Sequence, residues 1–304
     1  MPGRLAVCME EITLASYAKV NLTLEVIGQR PDAYHDIDSV ATTIDLADEL
    51  QCARAPEGTI DLEVSGLAVP VGPDNLVHRA CREFFRETRA SGGVRCRLTK
   101  RIPVQAGLGG GSSNAAAAIV ALDRIYGCDL GPQRLAQIAE RVGSDAPMFV
   151  YGGTVRMRGR GGLIDILPDA PQLDLLIIKP SVGVSTAWAY KELDTRGSRA
   201  FRGASDRAEE AIRSADRDGL VRSMCNDFDA VIGQAFGDVR TAKRLLEEEG
   251  AQAVVLAGSG SGVFGVFASR QEVLSAAERL RARSHYALPA RTVSRQVCMA
   301  ARLP

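Results

Sequence analysis

The sequence lacks three features that would each indicate a class of protein: paired cysteines, a long apolar run, and an excess of charge of one sign. Its seven cysteines are odd in number and scattered, and none forms a Cys-x-x-Cys pair. This pattern argues against a disulfide framework or a zinc site. We expect free thiols in a reducing compartment instead.

The lack of apolar runs and of net charge argues against membrane and nucleic-acid partners. No segment reaches the roughly 18–20 apolar residues that a membrane-spanning helix needs, and residues 1–14 do not have the apolar core of a signal peptide. We therefore expect a cytoplasmic protein. Because its 37 basic and 37 acidic residues cancel, no global positive field would attract nucleic acid.

The composition is ordinary for a globular protein, with 46% hydrophobic and 24% charged residues among 304. At roughly 100–200 residues per domain, this length predicts two domains, or one large one. The stretch 164–172 contains Pro168 and Pro171 and is the best candidate for a boundary. We therefore predict domains at 1–168 and 169–304.

Strand and helix patterns both occur along the chain. Alternating β-branched and polar residues, or short apolar runs, predict strands over 12–27, 39–50, 59–66, 96–103, 173–180, 253–258 and 262–268. Apolar residues at helical spacing predict helices over 76–89, 112–127 and 132–143.

A glycine-rich loop, PVQAGLGGGSSNAA at 103–116, is the strongest functional signal. Its glycines remove Cβ atoms where a polyphosphate would approach the backbone, and its Ser and Asn residues are good N-cap types for the alanine-rich helix that follows. A helix N-terminus attracts anions, so the segment predicts a phosphate site. We assign to it Pro103, Gly107, Leu108, Gly109, Gly110, Gly111, Ser112, Ser113 and Asn114.

Two familiar phosphate motifs do not fit this loop. A Walker A loop needs a lysine after its second glycine, and none is present. A dinucleotide GxGxxG motif would need a third glycine at the position of Ser112. The alternative is that the segment binds no ligand and is only a flexible glycine turn that caps an ordinary helix. Four glycines followed by Ser-Ser-Asn and an alanine-rich helix favour phosphate binding over that alternative.

Two charged residues are candidates for phosphoryl transfer, which needs an aligned hydroxyl and an acceptor for its proton. Asp145 lies between a predicted helix and an apolar segment that we interpret as a strand; alone, it would more often be a turn aspartate that bonds its own backbone. Lys19 lies inside a strand with apolar neighbours, where lysine is rarely buried unless paired. A solvent-facing edge position is the simpler alternative for Lys19. Asn21 shares its strand face.

Five segments, in the same order, resemble the motifs of the kinases named after galactokinase, homoserine kinase, mevalonate kinase and phosphomevalonate kinase (the GHMP kinases). The branch that acts on 4-diphosphocytidyl-2-C-methyl-D-erythritol is the most similar. The segments are AKVNLTLEVIGQRPDAYHDIDSV (18–40), PVQAGLGGGSSNAAAAIVAL (103–122), GSDAPMFVYGG (143–153), KPSVGVSTAWAY (179–190) and LAGSGSGVFGVF (256–267).

The resemblance implies an α+β, two-domain GHMP kinase fold with the active site in the interdomain cleft. It implies ATP-dependent phosphorylation of the 2-hydroxyl of that cytidine-diphosphate-linked polyol, in the non-mevalonate route to isoprenoid precursors. Mg²⁺ would accompany ATP, through ligands that the resemblance does not identify. We expect a monomer or a homodimer.

Catalytic roles follow from the resemblance for two residues. Asp145 would be the base or the carboxylate that orients the hydroxyl, and Lys19 would pair with it and stabilise developing charge. Asn21 would help to position the acceptor, and the loop at 107–113 would surround the phosphates.

Substrate-binding roles also follow from the resemblance. Tyr34 and Tyr190 would stack on cytosine, and His35, which by itself would more often be a surface turn residue, would hydrogen-bond the edge of the base. Thr186 would lie near the nucleotide or the methylerythritol. A second glycine loop, Gly258, Ser259 and Gly260, would lie beside the substrate.

Departures from the family pattern occur at three positions. Ala33 replaces a usual glycine, and a φ above zero there would strain the alanine by roughly 1 kcal/mol; Ser144 and Gly162 replace Ala and Glu. Because Ala33 adjoins the proposed base-binding residues, the same chemistry on another alcohol, such as mevalonate or homoserine, remains an alternative. A non-catalytic ATP-binding protein of the same fold is a further one.

Overall fold

The computed structural model describes residues 9–196 and 202–301, so residues 1–8 of the N-terminal segment interpreted above, including Cys8, lie outside the described residues. Within these ranges the chain forms twelve strands and eleven helices. The first half contains β1 (Glu11–Asn21), β2 (Thr23–Gln29), β3 (His35–Ala55), β4 (Ile60–Gly66), α1 (Leu76–Thr88), β5 (Gly93–Lys100), α2 (Gly110–Tyr126), α3 (Pro132–Glu140), α4 (Ala146–Tyr151), β6 (Thr154–Gly159) and β7 (Leu163–Ile166).

The second half contains β8 (Asp174–Ile178), α5 (Thr186–Arg196), α6 (Ala204–Arg213), α7 (Arg217–Ser223), β9 (Cys225–Asn226), α8 (Phe228–Ala235), α9 (Gly237–Glu248), β10 (Ala253–Leu256), β11 (Val263–Phe267), α10 (Arg270–Ala282), β12 (Ala287–Arg291) and α11 (Arg295–Ala300). None of the helices in the described part of the chain is long and apolar enough to cross a bilayer.

The first sheet is organised by β3, a strand of 21 residues that pairs with four neighbours. Its C-terminal half pairs with β1 and β5, and its N-terminal half pairs with β2 and β6, in each case antiparallel. The parallel pair β4 and β5 is connected through α1. From the second half of the chain, β9 returns to this sheet and pairs in parallel with β2.

The alanine-rich helix α2 is the centre of the first core. Its buried residues include Ala115, Ala116, Ala117 and Ala118, so almost no side of it faces solvent. Small side chains let the helix contact β1, α1 and α4 closely on different sides. This packing holds the N-terminus of α2 in place beside the glycine loop.

The second sheet is antiparallel, in the order β10-β11-β8-β12, and helices α8, α9 and α10 pack around it. A further apolar cluster joins the two sheets, with Val20 and Leu22 of the first sheet beside Ile177 and Phe264 of the second. The two halves therefore share a core, and the loops at the ends of both sheets come together.

Most of the predicted elements are present. The helix predicted over 76–89 is α1, and the strand predicted over 12–27 is divided at Leu22 into β1 and β2. The boundary at residue 168 stays a prediction: it falls between β7 and β8, yet β9 crosses back to the first sheet.

Two local predictions are wrong. The N-cap of α2 is Gly109 and not a residue of Ser-Ser-Asn, because the side chains of Ser113 and Asn114 turn inward to bond Ser16. The apolar segment after Asp145 is the helix α4 and not a strand. Pro147 fits the first turn of this helix, where no N–H is needed.

The turn between β2 and β3 contains the strain predicted from the sequence, because Ala33 has a φ of 63°. We expect Ala33→Gly to raise the free energy of unfolding by roughly 0.5 kcal/mol, since relief of about 1–2 kcal/mol of left-handed strain exceeds the entropy lost by glycine. Urea denaturation measures this. The control Ala47→Gly, within β3, should lower the free energy of unfolding by roughly 0.5–1 kcal/mol. Equal destabilisation by both substitutions would contradict the prediction.

Candidate active site

The glycine loop between β5 and α2 leads directly into the N-terminus of α2. Gly109, at the N-cap, has a φ of 69° and forms no side-chain cap. The N–H groups of the first turn are therefore available to an anion, together with the partial positive charge of the helix end.

The glycines of this loop are required by packing within the protein. A Cβ on Gly107 would lie 1.8 Å from the carbonyl oxygen of Ala257, and one on Gly109 would lie 2.7 Å from the Phe149 ring. A Cβ on Gly110 would lie 2.7 Å from Nζ of Lys100. The loop is thus fixed against the β10–β11 loop, α4 and β5 at once.

Lys19, in β1, is buried and not at a solvent-facing edge, with a side-chain exposure of 3%. Its Nζ donates to Oδ1 of Asn21 at 2.5 Å and lies 3.3 Å from Oδ2 of Asp145. Its backbone N–H donates to the carbonyl oxygen of Leu108 at 3.0 Å. One residue therefore connects β1, the glycine loop and the carboxylate.

Asp145 occupies the N-cap position of α4 but makes no side-chain capping bond there. Its side chain is 35% exposed and faces the ammonium group of Lys19. The alternative of a turn aspartate bonded to its own backbone is therefore not what the structure shows. A carboxylate held beside a buried cation and open to a cavity can accept a proton or orient a hydroxyl.

The second glycine loop, residues 257–262 between β10 and β11, lies against the first. The side chain of Asn226 donates to the carbonyl oxygens of Leu256 at 2.8 Å and Gly258 at 2.7 Å. The hydroxyls of Thr186 and Ser259 are 2.8 Å apart, which ties this loop to the start of α5.

Three cavities follow one another along this surface. The loop cavity, of about 300 Å³, is lined by the first glycine loop, Pro103, Asn75 and Lys100. The junction cavity, of about 320 Å³, shares Gly107, Gly109 and Ser112 with it. The aromatic cavity, of about 520 Å³, shares Ser144, Asp145, Thr186 and Tyr190 with the junction cavity. Asp145 therefore lies between the space beside the glycine loop and the aromatic space.

Tyr34, His35 and Tyr190 all line the aromatic cavity. The His35 and Tyr190 rings are stacked, with centroids 4.4 Å apart, and the edge of Phe228 packs against Tyr190. Nε2 of His35 lies 2.9 Å from the carboxylate of Asp194. Burial raises the pKa of the Tyr190 hydroxyl, and the charge of Asp145 raises it further, so the ring is present in its neutral form.

Comparison with known proteins identifies the family. The N-terminal and C-terminal domain models of GHMP kinases match residues 75–153 and 208–285. The 4-diphosphocytidyl-2-C-methyl-D-erythritol kinase of Moorella thermoacetica is 42% identical over 275 residues, which are 90% of this chain and 96% of that relative. The chain belongs to the 4-diphosphocytidyl-2-C-methyl-D-erythritol kinase family of GHMP kinases. It is therefore a small-molecule kinase.

Other relatives support the assignment of this chain to the GHMP kinase family. The protein of the same name from Geobacter sulfurreducens is 34% identical over 285 residues. The match covers 94% of this chain and 100% of that relative. A crystal structure of 4-(cytidine 5'-diphospho)-2C-methyl-D-erythritol kinase superimposes with a TM-score of 0.79 at 29% identity, covering 93% of this chain and 100% of that one. The homoserine kinase of Cytophaga hutchinsonii, at 17% identity, a TM-score of 0.76 and coverage of 96% and 98%, shares the fold.

The structure of this GHMP kinase brings most of the predicted site residues together. Around the junction cavity lie Lys19, Asn21, Gly107, Gly109, Ser112, Asp145, Thr186, Tyr190, Gly258 and Ser259. Gly110, Gly111, Leu108, Pro103 and Asn114 line the loop cavity, and Tyr34 and His35 line the aromatic cavity. Ser113 lines none of the three, because its hydroxyl is buried against Ser16.

Sequence reasoning missed Lys100, a buried cation beneath the first turn of α2. It pairs with the buried carboxylate of Asp48, whose Oδ1 also accepts the N–H groups of Arg101 and Ile102 at 2.6 and 2.8 Å. Burial lowers the pKa of Lys100, and the charge of Asp48 opposes this shift. The alternation of buried Cys96 and Leu98 with Lys100 along β5 was the available signal.

The contact between the two glycine loops gives a test in this GHMP kinase. We expect Gly107→Ala to lower the free energy of unfolding by about 2 kcal/mol or more, since its Cβ would collide with a backbone oxygen and its φ of 73° disfavours alanine. The control Gly111→Ala, whose Cβ would lie 3.2 Å from Cδ1 of Leu76, should cost less than half as much. Thermal and urea denaturation measure both, and equal losses would contradict the packing argument.

Proposed function

We propose that this kinase transfers the γ-phosphate of ATP to the 2-hydroxyl of 4-diphosphocytidyl-2-C-methyl-D-erythritol, in the non-mevalonate route to isoprenoid precursors. The name shared by its relatives supports this substrate. The observation that carries the proposal is the position of Asp145, which lines both the junction cavity and the aromatic cavity and lies 3.3 Å from Nζ of Lys19.

The nucleotide would occupy the loop cavity with its phosphates at the N-terminus of α2. Backbone N–H groups and the helix dipole there favour a polyphosphate. The γ-phosphate would then reach the junction cavity through the shared residues Gly107, Gly109 and Ser112.

The donor groups of the junction cavity fit the Mg²⁺ that we expect to accompany ATP. Among the described residues no cluster of three or more His, Cys, Asp or Glu side chains could hold a metal alone. The Ser112 hydroxyl could supply an oxygen ligand there, and Mg²⁺ commonly takes one or two protein oxygens with the rest from phosphates and water. When bound, it would neutralise charge on the triphosphate.

Lys19 and Asp145 would act on the acceptor hydroxyl. Asp145 would orient the hydroxyl and accept its proton as the phosphoryl group transfers. Lys19, whose position is fixed by Asn21 and the Leu108 carbonyl, would stabilise the negative charge that develops between donor and acceptor. Buried hydrogen bonds link Lys19 to Asn21 and Asn21 to Ser39, so the ammonium group has little freedom to move out of alignment.

The aromatic cavity would hold the cytosine. One face of Tyr190 is already covered by His35, so the base would stack on a remaining ring face of Tyr34 or Tyr190. The carboxylate of Asp194 favours a proton on Nε2 of His35. That tautomer leaves Nδ1 as an acceptor, which matches the amino group of cytosine.

Three further expectations belong to the proposal. The domain boundary at residue 168 is supported by the two GHMP domain matches, which lie on either side of it. A cytoplasmic location and a monomeric or homodimeric state are expected from the sequence.

The first mechanistic test is Asp145→Asn. We expect turnover to fall by about 10²–10⁴-fold, because general-base assistance is lost, while ATP still binds through the glycine loop. Steady-state kinetics and nucleotide titration measure the two effects. The control Asp165→Asn alters an exposed carboxylate of β7 that pairs with Arg158 and should keep normal turnover. Turnover of Asp145→Asn within threefold of wild type would refute the assignment.

The stacking role has its own test in Tyr34→Ala. We expect the KM for the cytidyl acceptor to rise by about 10- to 100-fold, because base stacking on an aromatic ring contributes roughly 1–3 kcal/mol. The KM for ATP should change little, and Tyr34→Phe should stay near wild type. Tyr286→Ala is a matched control, since Tyr286 is 48% exposed and Tyr34 51%, but it lies outside the three cavities. Equal rises in both KM values would exclude stacking.

A coupled assay that follows ADP formation with different alcohols tests the substrate directly. We expect phosphorylation of the cytidyl substrate and no turnover with mevalonate or homoserine, because neither has a base to enter the aromatic cavity. Preference for either of these alcohols would overturn the proposed substrate while leaving the kinase assignment in place.

A further inference from the structure

Arg160 lies at the rim of the aromatic cavity, on the turn between β6 and β7. Gly159 and Gly161, with φ of 64° and 104°, form this tight turn around it. Its guanidinium carbon lies 3.4 Å from the centroid of the Tyr34 ring. The Arg160 side chain is exposed to solvent and also lines the cavity.

The carboxylates that line the aromatic cavity have partners, whereas the cations that line it are exposed. Asp145 pairs with Lys19, and Asp194 faces His35. The lining cations are Arg160 and Lys191, and both are exposed. The cavity rim therefore favours an anion.

Arg160 also has a carboxylate in its neighbourhood, that of Asp32. Although desolvation opposes the shift, the pKa of Asp32 is lowered by the backbone N–H of Tyr34, by Arg30 and by the charge of Arg160. Asp32 already accepts from Tyr34 and Arg30. It competes for Arg160 only through charge, since the structure shows no hydrogen bond between them.

We infer that Arg160 binds the diphosphate of the acceptor. This inference rests on the proposed cytidyl substrate: a base at Tyr34 and a hydroxyl at Asp145 require the diphosphate between them to cross the cavity that Arg160 lines. An exposed guanidinium gains little from an aromatic face, whereas guanidinium hydrogen bonds to phosphate are charge-assisted and often bidentate. Arg160 therefore exchanges the Tyr34 ring for phosphate oxygens when the acceptor binds.

The experiment compares the binding of CDP and cytidine by calorimetry, because the two ligands differ in the diphosphate alone. We expect wild type to bind CDP more tightly than cytidine, and Arg160→Met to reduce that ratio by about tenfold or more, with cytidine affinity nearly unchanged. Arg160→Lys should restore part of the ratio. The control Arg158→Met, two residues away and paired with Asp165 outside the three cavities, should keep the wild-type ratio.

Three outcomes would count against the inference. An unchanged CDP-to-cytidine ratio in Arg160→Met would exclude phosphate binding by this side chain. Equal weakening of both ligands would show that Arg160 only holds Tyr34 in place, and would also overturn the inference. Failure of wild type to bind either ligand would instead refute the cytidyl substrate of the proposed function, on which the inference depends.

Discussion

The ion pair between Lys19 and Asp145 is the interaction on which the rest of the site depends. An ammonium group as buried as that of Lys19 is tolerated only if opposite charge and hydrogen-bond acceptors compensate for its lost hydration. Asp145 and Asn21 provide these, and the backbone of the same lysine bonds the glycine loop. The pair therefore sets where the space beside the glycine loop ends and where the aromatic space begins.

The glycine loop illustrates how one residue type can satisfy two requirements. Its glycines would leave the backbone accessible to the phosphates of the proposed nucleotide, yet the atoms that their missing Cβ groups would meet belong to Ala257, Phe149 and Lys100. The loop is thus held in one conformation by its own protein. A ligand that binds to such a loop does not have to order it, so less of the binding free energy is lost.

Local features were predictable from the sequence, and features that depend on tertiary contacts were not. The helix α2 follows from residue type and spacing, and the strain at Ala33 was expected from the glycine that the resembling family usually has there. The α4 helix was taken for a strand because a short apolar run fits both structures. The N-cap was misplaced because bonds to Ser16, distant in sequence, hold Ser113 and Asn114 inward.

The same division holds for the site. Lys19 and Asp145 were candidates by residue type, but their proximity followed from a family resemblance and not from spacing. Asp194 and Arg160 are ordinary surface residues in the sequence, and only their contacts with His35 and Tyr34 distinguish them. Lys100 was missed although a signal was available, because its place in the alternation of buried residues along β5 is visible in the sequence.

The short strand β9 has a consequence for how the chain reaches its native state. It covers the free side of β2, although its residues come long after the first sheet is otherwise complete. A nascent chain that has emerged only through the first half would carry an unprotected sheet edge and an unfilled apolar cluster. Because these contacts are distant in sequence, we expect their formation to be a slow step of folding, with aggregation competing until they form.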